Sequence, residues 1–287
     1  MMTAPSVREN ILVQFDTLSR KQRQLARFIL DNEDMVVFAS ANDIGEQVGA
    51  SAATVVRFCR ALGYEGYTNL QAAIRTQFPQ YRTTVEKMAA HLANGGSADN
   101  LTARVAQAAT QNIQDTMSQV ADETLAAAAT AIAQARHICI FGSGLSVAAA
   151  ILAEHSLSSL GFSARACSHG RANQSLELAQ LTGQDMVIVI SLWRYLRDTV
   201  EAAQAARQVG ATCLALTDSP VAPVAQLADF VFVAATEGAA HSRSLTGIIA
   251  LIELISATLV SIRPKESMVA LQQLDTMYRQ NNLLLSD

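Results

Sequence analysis

The chain has 287 residues, of which 50% are hydrophobic and 16% are charged, and it carries a formal net charge of −4. A chain of this length can form two domains that each bury a core, and its hydrophobic fraction excludes a disordered protein. The acidic balance excludes nucleic-acid binding by overall charge, so any affinity for DNA must come from a local basic surface.

The first predicted elements are helices, spread over residues 7–77. One covers residues 7–15, another is capped near Ser19, and the last covers residues 68–77. Between them, residues 40–63 predict two short helices joined by a turn. Ser40 and Ser51 can cap these helices, because a serine oxygen accepts a hydrogen bond from a first-turn amide. Gly49 stands where the chain must reverse, since glycine permits a left-handed backbone.

The second of the two short helices has an apolar stripe at helical spacing and a polar face opposite it. The polar face carries hydroxyl and guanidinium groups, from Ser51, Thr54, Arg57 and Arg60. This arrangement indicates a helix-turn-helix whose second helix enters the DNA major groove, although a helical hairpin with a solvated face has the same spacing. We expect Thr54 and Arg57 to contact bases, and Ser51 and Arg60 to lie nearer the phosphates.

A wider stretch of the first domain resembles a known family. It consists of LSRKQRQLARFILDN at residues 18–32 and residues 41–74, which include SAATVVRFCRALGYEGY. These segments are similar to the N-terminal domain of RpiR-type bacterial transcriptional regulators, and the resemblance implies binding to double-stranded operator DNA. This first domain is expected to cover residues 1–79 and to end at Pro79. Residues 80–98 then form a linker, with the flexible sequence NGGS at residues 94–97.

From residue 99 to 287 the pattern changes to strands that alternate with helices. Two helices are predicted within residues 99–135, followed by strands at 137–141, 162–167, 186–191, 212–217 and 229–234. The intervening and terminal helices are predicted at 145–160, 195–209, 221–227, 244–262 and 266–280. Such βαβ units give a parallel, doubly wound sheet. The predicted fold is therefore an all-α helix-turn-helix domain followed by an α/β doubly wound parallel-sheet domain.

In a sheet of this kind, ligands bind beyond the carboxyl ends of the strands. The first strand runs into a loop of small residues, Gly142, Ser143, Gly144 and Ser146. Glycines let the backbone approach a ligand, and serines and amides at a helix N-terminus favour an anion. Packing requirements alone also produce many glycine turns, so the loop by itself is a weak indication.

This domain, over residues 137–260, resembles the SIS (sugar isomerase) domain. The resemblance lies in ICIFGSGLS, DMVIVIS and HSRSLTGIIALIELI, and it implies a phosphosugar-binding module. In SIS domains the strand that corresponds to MVIVIS usually leads into a phosphate-binding loop, S-x-S-G-x-T. Here Ser191 remains, but Trp193, Arg194 and Leu196 take the places of serine, glycine and threonine.

The altered loop suggests a different way of holding an anion. Arg194 or Arg197 could supply a charged fork for phosphate or carboxylate, and Trp193 could stack on a sugar ring. The alternative places Trp193 in the core and both arginines on the surface. We therefore expect an anionic small-molecule effector, a phosphosugar first and a carboxylated metabolite second.

Two other functions fit parts of the sequence. A phosphosugar isomerase would need a carboxylate and a histidine, for which Glu237 with His241, or Glu154 with His155, are unspecific candidates. A DNA-binding protein whose second domain only dimerises would need no ligand. We expect no catalytic residue, and instead a repressor that forms a homodimer or homotetramer through residues 244–262 or 266–280 on a near-palindromic operator.

The cysteines and the N-terminus predict the compartment. Cys59, Cys139, Cys167 and Cys213 form no C-x-x-C pair, so we expect reduced thiols and no bound metal. The first ten residues lack the order of a secretion signal, and no apolar run reaches the ~20 residues that cross a bilayer. We expect a cytoplasmic protein without a cofactor and without contact to a membrane.

Overall fold

The computed structural model describes residues 6–76, 85, 88, 89, 100–167, 170–239 and 242–283. The chain divides into two compact units, Met1–Gly96 and Ser97–Asp287. Pro79 and the NGGS segment at 94–97, with most of the expected linker, lie outside the described residues.

The first unit is helical throughout its described part. Its elements are α1 (Val7–Gln14) with a 3-10 turn (Phe15–Thr17), α2 (Arg20–Asp31), α3 (Glu33–Val36), α4 (Ala41–Gln47), α5 (Ala52–Ala61) and α6 (Tyr67–Thr76). Ser19 and Ser40 each accept a hydrogen bond from the third helical amide and form a capping box, and Ser51 caps α5. The three predicted serine caps are therefore confirmed.

The turn between α4 and α5 is held by close backbone contact. Gly49 has φ of 62°, as predicted, and the amide of Ala50 donates to the carbonyl of Gly45 at 2.7 Å. A side chain at Gly45 would overlap the Ala50 carbonyl, so only glycine lets the turn lie this close to α4. The contact fixes the angle at which α5 leaves the turn.

The second unit is built on five parallel strands in the order β2-β1-β3-β4-β5. In chain order its elements are α7 (Leu101–Ser118), α8 (Asp122–Gln134), β1 (Ile138–Gly142), α9 (Ser146–Ser159), β2 (Ala164–Ala166), α10 (Gly170–Ala179), β3 (Met186–Ser191), α11 (Arg197–Val209), β4 (Thr212–Thr217), β5 (Phe230–Val233), α12 (Thr246–Ile262) and α13 (Pro264–Gln280). The predicted doubly wound parallel sheet is confirmed.

Both faces of the sheet are covered by helices. On one face, Ile140 and Ile188 pack in a cluster with residues of α8, α9 and α12, such as Leu251. On the other face, Phe141 and Val189 pack with alanines of α11. All six residues of β3 are buried, which explains why its sequence is a continuous apolar run.

One helix predicted in the second unit does not form, and one helix that forms there was not predicted. Residues 221–227 form consecutive turns and not a helix, because Pro223 lacks an amide hydrogen and disfavours the helical conformation at Ala222. Conversely, α10 was not predicted. Only Gln174 is buried in it and Leu176 is exposed, so its sequence lacks an apolar period.

Within the described residues, no single helix is long and apolar enough to span a membrane. The pair Thr246–Ile262 and Pro264–Gln280 passes that test only when taken together, by length and composition, and it is bent by 111°.

Candidate functional site

The outward face of α5 is the candidate DNA interface. Val55, Phe58 and Cys59 are buried beneath the helix, whereas Arg57 and Arg60 are exposed. The same helix therefore anchors itself on one side and presents basic groups on the other, as the sequence predicts.

The polar groups of α5 form a connected series. The hydroxyls of Ser51 and Thr54 lie 3.0 Å apart, and Nη2 of Arg57 donates to Thr54 Oγ1 at 3.0 Å. Arg60 is turned the other way, since its Nε donates to the carbonyl of Glu65 at 3.2 Å. Ser51, Thr54 and Arg57 thus share one patch at the start of the helix, while Arg60 lies at its end.

The second candidate site lies at the carboxyl ends of the strands. The strand order places the topological switch point between β1 and β3, and ligands of doubly wound folds bind at such a point. The loops after these two strands are the ones that the sequence singles out. The two loops also lie close together, because a Cβ placed on Gly144 would lie 3.6 Å from Cδ1 of Leu196.

The loop after β1 has both packing and access roles. A Cβ at Gly142 would lie 2.6 Å from the carbonyl of Ser146, so this glycine is required by the close start of α9. Gly144 is exposed with φ of 61°, Ser143 is half-buried, and Ser146 is buried. Among the predicted residues of this loop, Ser143 and Gly144 are the accessible ones.

The residues predicted to bind a ligand after β3 differ in their burial. Ser191 is buried, and its hydroxyl lies 2.8 Å from that of Thr199. Arg194 and Arg197 are exposed, and Trp193 is half-buried. One face of the Trp193 ring carries the guanidinium of Arg243, whose Cζ lies 5.7 Å from the ring centroid. The predicted stacking platform is therefore already used on that face.

Arg194 has a left-handed backbone conformation, which glycine adopts more easily than arginine. Its φ is 79°, one of three positive values among non-glycine residues in the described part of the chain. It stands where the usual SIS loop has glycine, and glycine adopts this conformation without strain. The loop thus has, at an arginine, a backbone conformation that favours glycine.

This strain makes a testable prediction about Arg194. At ordinary positions alanine is more stable than glycine by about 0.4–1 kcal/mol. At Arg194 we expect the reverse, with Arg194→Gly more stable than Arg194→Ala by about 1 kcal/mol, because a left-handed backbone costs a residue with a Cβ about 1–2 kcal/mol. Urea unfolding measures the difference. The same pair of substitutions at Arg207, inside α11, is the control and should show the ordinary order; the ordinary order at Arg194 would contradict the strained turn.

A polar group behind these loops was not predicted from the sequence. It is formed by Asp218, Tyr195, Arg243 and Thr236. The side chain of Asp218 is 2% exposed and follows β4 directly. It accepts hydrogen bonds from the backbone amide of Trp193 at 3.1 Å and from the hydroxyl of Tyr195 at 2.8 Å. The position of Asp218 at a strand end could have identified it from the sequence.

Arg243 completes this group from the segment before α12. Its side chain is 10% exposed, and Nη1 donates to Thr236 Oγ1 at 3.0 Å and lies 3.6 Å from Asp218 Oδ2. Its Nε and Nη2 are buried and have no hydrogen-bond partner among the described residues. A buried donor without a partner is costly, so this edge of the guanidinium points to a binding role.

A different polar cluster lies near the opposite end of β1. A cavity of about 420 Å³ there is lined by residues that include His137, Cys139 and Glu177, whose ligand atoms lie within 4.8 Å of one another. Arg165 pairs with Glu177 at 3.2 Å. The positive charge of this guanidinium disfavours the binding of a metal ion beside it. The expectation of no bound metal stays a prediction.

The wall of the same cavity contains Arg136, an arginine whose Nε and Nη2 donors both have hydrogen-bond partners. Nε and Nη2 of Arg136 bind the two carboxylate oxygens of Asp185, each at 2.8 Å. Arg136 holds the pKa of Asp185 below its usual value, with further hydrogen bonds from Thr182, although burial opposes the shift. The pair is a bidentate, charge-assisted contact.

Two family models match the chain. The helix-turn-helix domain, rpiR family, covers residues 6–81, and the SIS domain covers residues 131–262. The solved sugar isomerase domain of an RpiR transcription factor from Sphaerobacter thermophilus is 38% identical, with a TM-score of 0.61, and the match covers 62% of this chain and 99% of that one. The chain belongs to the RpiR family of transcriptional regulators. The resemblances found in the sequence are confirmed.

Other relatives extend over more of this RpiR-family chain. The HTH-type transcriptional regulator HexR of Pseudomonas aeruginosa is 26% identical over 221 residues, 76% of each chain. The NanR protein of Vibrio vulnificus, solved in complex with ManNAc-6P, is 22% identical and has a TM-score of 0.66, covering 95% of this chain and 98% of that one. In this chain the helix-turn-helix model precedes the SIS model, and the protein is a helix-turn-helix transcriptional regulator with a SIS domain.

Proposed function

We propose that this regulator is a repressor that binds a near-palindromic operator through α5. The connected patch of Ser51, Thr54 and Arg57 carries the proposal, because it places a guanidinium and two hydroxyls on the exposed side of a helix whose opposite side is buried. In the proposed complex, Thr54 and Arg57 contact base edges in the major groove, whereas Ser51 and Arg60 contact phosphates. The domain boundaries, 1–79 and 99–287 with a linker at 80–98, are part of this proposal.

The effector in this proposal is an anionic carbohydrate derivative, bound at the switch-point edge of the sheet. Ser143 and Gly144 at the start of α9, together with Arg194 and Arg197, supply the hydroxyl, amide and guanidinium donors that a phosphoryl group needs. The ManNAc-6P in the related NanR structure supports a phosphosugar. A carboxylated metabolite is the second candidate.

The experiment for this proposal is a thermal-shift screen of the full chain with phosphosugars, sugar acids and neutral sugars. A ligand that binds the folded state must raise the unfolding temperature. Anionic members should do so and their neutral counterparts should not. A screen in which no anion raises the temperature supports the ligand-free alternative, in which the second domain only dimerises.

Catalysis is not part of the proposed function. Glu154 and His155 are adjacent on α9, so they lie on different sides of the helix, and His241, the expected companion of Glu237, lies outside the described residues. Relatives of this chain are named as transcriptional regulators. A direct assay of phosphosugar isomerisation is expected to show no activity. We propose a cytoplasmic protein without a cofactor, in keeping with its four free, buried cysteines.

The proposed assembly is a homodimer, or a homotetramer built from two dimers, joined through α12 and α13. These helices expose large apolar side chains, among them Met268, Val269 and Leu271. We expect light scattering to give at least twice the chain mass of 30.6 kDa. The double variant Met268→Glu, Leu271→Glu should lower it, because charge at an apolar interface is costly to bury. The same pair of changes at the exposed Leu12 and Val13 is the control; a monomeric wild type would contradict the proposal.

A further inference from the structure

We propose that the Nε–Nη2 edge of Arg243 binds a carboxylate group of the effector. This inference rests on the proposed function and adds a chemical requirement to it: the effector carries a carboxylate, whether or not it is also phosphorylated. Nη1 is held by Thr236 and lies near Asp218, whereas Nε and Nη2 have no partner among the described residues.

The unoccupied edge is the one that matches a carboxylate. Nε–H and Nη2–H point in nearly the same direction, and their spacing fits the two oxygens of a planar carboxylate. The protein itself uses this edge in Arg136, where Nε and Nη2 each lie 2.8 Å from an oxygen of Asp185. In Arg243 the same two donors are buried, but no carboxylate of the described chain reaches them.

The residues around Arg243 hold its side chain in place but do not accept hydrogen bonds from Nε and Nη2. Its guanidinium lies over the Trp193 ring, and Asp218 Oδ2 is 3.6 Å from Nη1, too far for a normal hydrogen bond. Asp218 already accepts hydrogen bonds from the Trp193 amide and the Tyr195 hydroxyl. Asp218 therefore lies beside Nη1 of Arg243 and leaves the Nε–Nη2 edge without a partner among the described residues.

The charge balance favours a carboxylate over a phosphoryl group at this point. Arg243 and Asp218 carry opposite charges, and both side chains are at least nine-tenths buried. A carboxylate adds one negative charge to this pair, whereas a phosphate dianion adds two beside the buried Asp218 carboxylate. The exposed Arg194, on the loop after β3, and Arg197, at the start of α11, are better placed to hold a phosphoryl group where water can share its charge.

Acetate is the smallest probe of this site. In nitrogen–proton spectra of the full-length protein, the Nε–Hε signal of Arg243 is assigned by its loss in Arg243→Lys, a variant that keeps the positive charge beside Asp218. We expect this signal to shift progressively on titration with acetate and to stay fixed with inorganic phosphate at equal ionic strength. An unmoved signal with acetate, or an equal shift with phosphate, overturns the inference.

Sugar acids test the same edge with a larger probe. Gluconate and glucuronate carry a carboxylate without phosphate, and calorimetry should show that Arg243→Lys binds them at least tenfold more weakly than wild type, since lysine cannot present two coplanar donors. Arg207→Ala, which removes an exposed arginine from α11, is the control and should bind them unchanged. Undiminished binding by Arg243→Lys, or no binding by wild type, overturns the inference.

Operator binding by wild type and Arg243→Lys without ligand is measured in parallel. This measurement distinguishes a failure of the Arg243 inference from a failure of the proposed function. A protein that binds operator DNA but whose Arg243 ignores carboxylates contradicts this inference alone. A protein that does not bind operator DNA contradicts the proposed function, whatever acetate does.

Discussion

Replacing Phe58 by alanine is expected to lower the free energy of unfolding of the helical unit by about 3–5 kcal/mol, the usual cost of removing a buried phenylalanine side chain. Phe58 is fully buried beneath α5 and lies beside Arg57 in sequence, so it anchors the helix that carries the proposed DNA-contacting residues. Loss of this anchor should abolish operator binding, because the exposed face of α5 would no longer be held in one orientation.

Hydrogen exchange in urea measures this effect for each unit separately within the full chain. Amides of residues 6–76 should lose protection at a lower urea concentration in Phe58→Ala, while amides of the sheet keep theirs. Leu12→Ala is the matched control, since Leu12 is 57% exposed and its loss should change stability by no more than about 0.5 kcal/mol. Normal protection of the helical unit in Phe58→Ala would show that α5 is not anchored there.

Arg57→Ala is expected to weaken specific operator binding by about 1–3 kcal/mol, or roughly 5- to 150-fold, with little effect on folding. Arg57 is exposed, and its contact with Thr54 holds the guanidinium at the start of α5. Discrimination between the operator and unrelated DNA should fall by a similar factor, because a lost base contact costs affinity only where that base is present.

Arg60→Ala separates base reading from phosphate binding. As a phosphate contact it should weaken binding to all sequences alike and lower the slope of log affinity against log salt by about one. Fluorescence anisotropy with operator and scrambled DNA at several salt concentrations measures both variants, with Arg207→Ala as the charge-matched control. Equal operator affinity in Arg57→Ala and wild type would remove Arg57 from the interface.

Local signals in the sequence were sufficient for most of the first unit, although the one-turn helix α3 was not predicted. Serine caps at Ser19, Ser40 and Ser51, a reversing glycine at Gly49 and an apolar stripe all act within a few residues of one another. The strands β3 and β4 were predicted with the bounds that the structure shows, because strands buried on both faces are continuous apolar runs. Helix α10 could not be found in this way, since it buries only Gln174.

The candidate effector site was predictable only in part. The loops after β1 and β3 follow from the rule that ligands bind at the switch point of the sheet. Arg243 could not be placed, because its approach to Asp218 joins the segment before α12 to the end of β4, and no local pattern encodes that contact. The positive φ of Arg194 was also hidden, since arginine gives no sign of a glycine-type turn.

The central claim is that a DNA-reading helix near the amino end of the chain is controlled by an anion bound in the SIS domain. The most direct measurement is the affinity of the purified full-length protein for the DNA upstream of its own gene, at low salt, with and without the anions that raise its unfolding temperature. We expect specific binding that depends on Arg57, with an affinity that at least one such anion changes. Failure to bind that DNA in every condition, or an affinity that no bound anion alters, would contradict it.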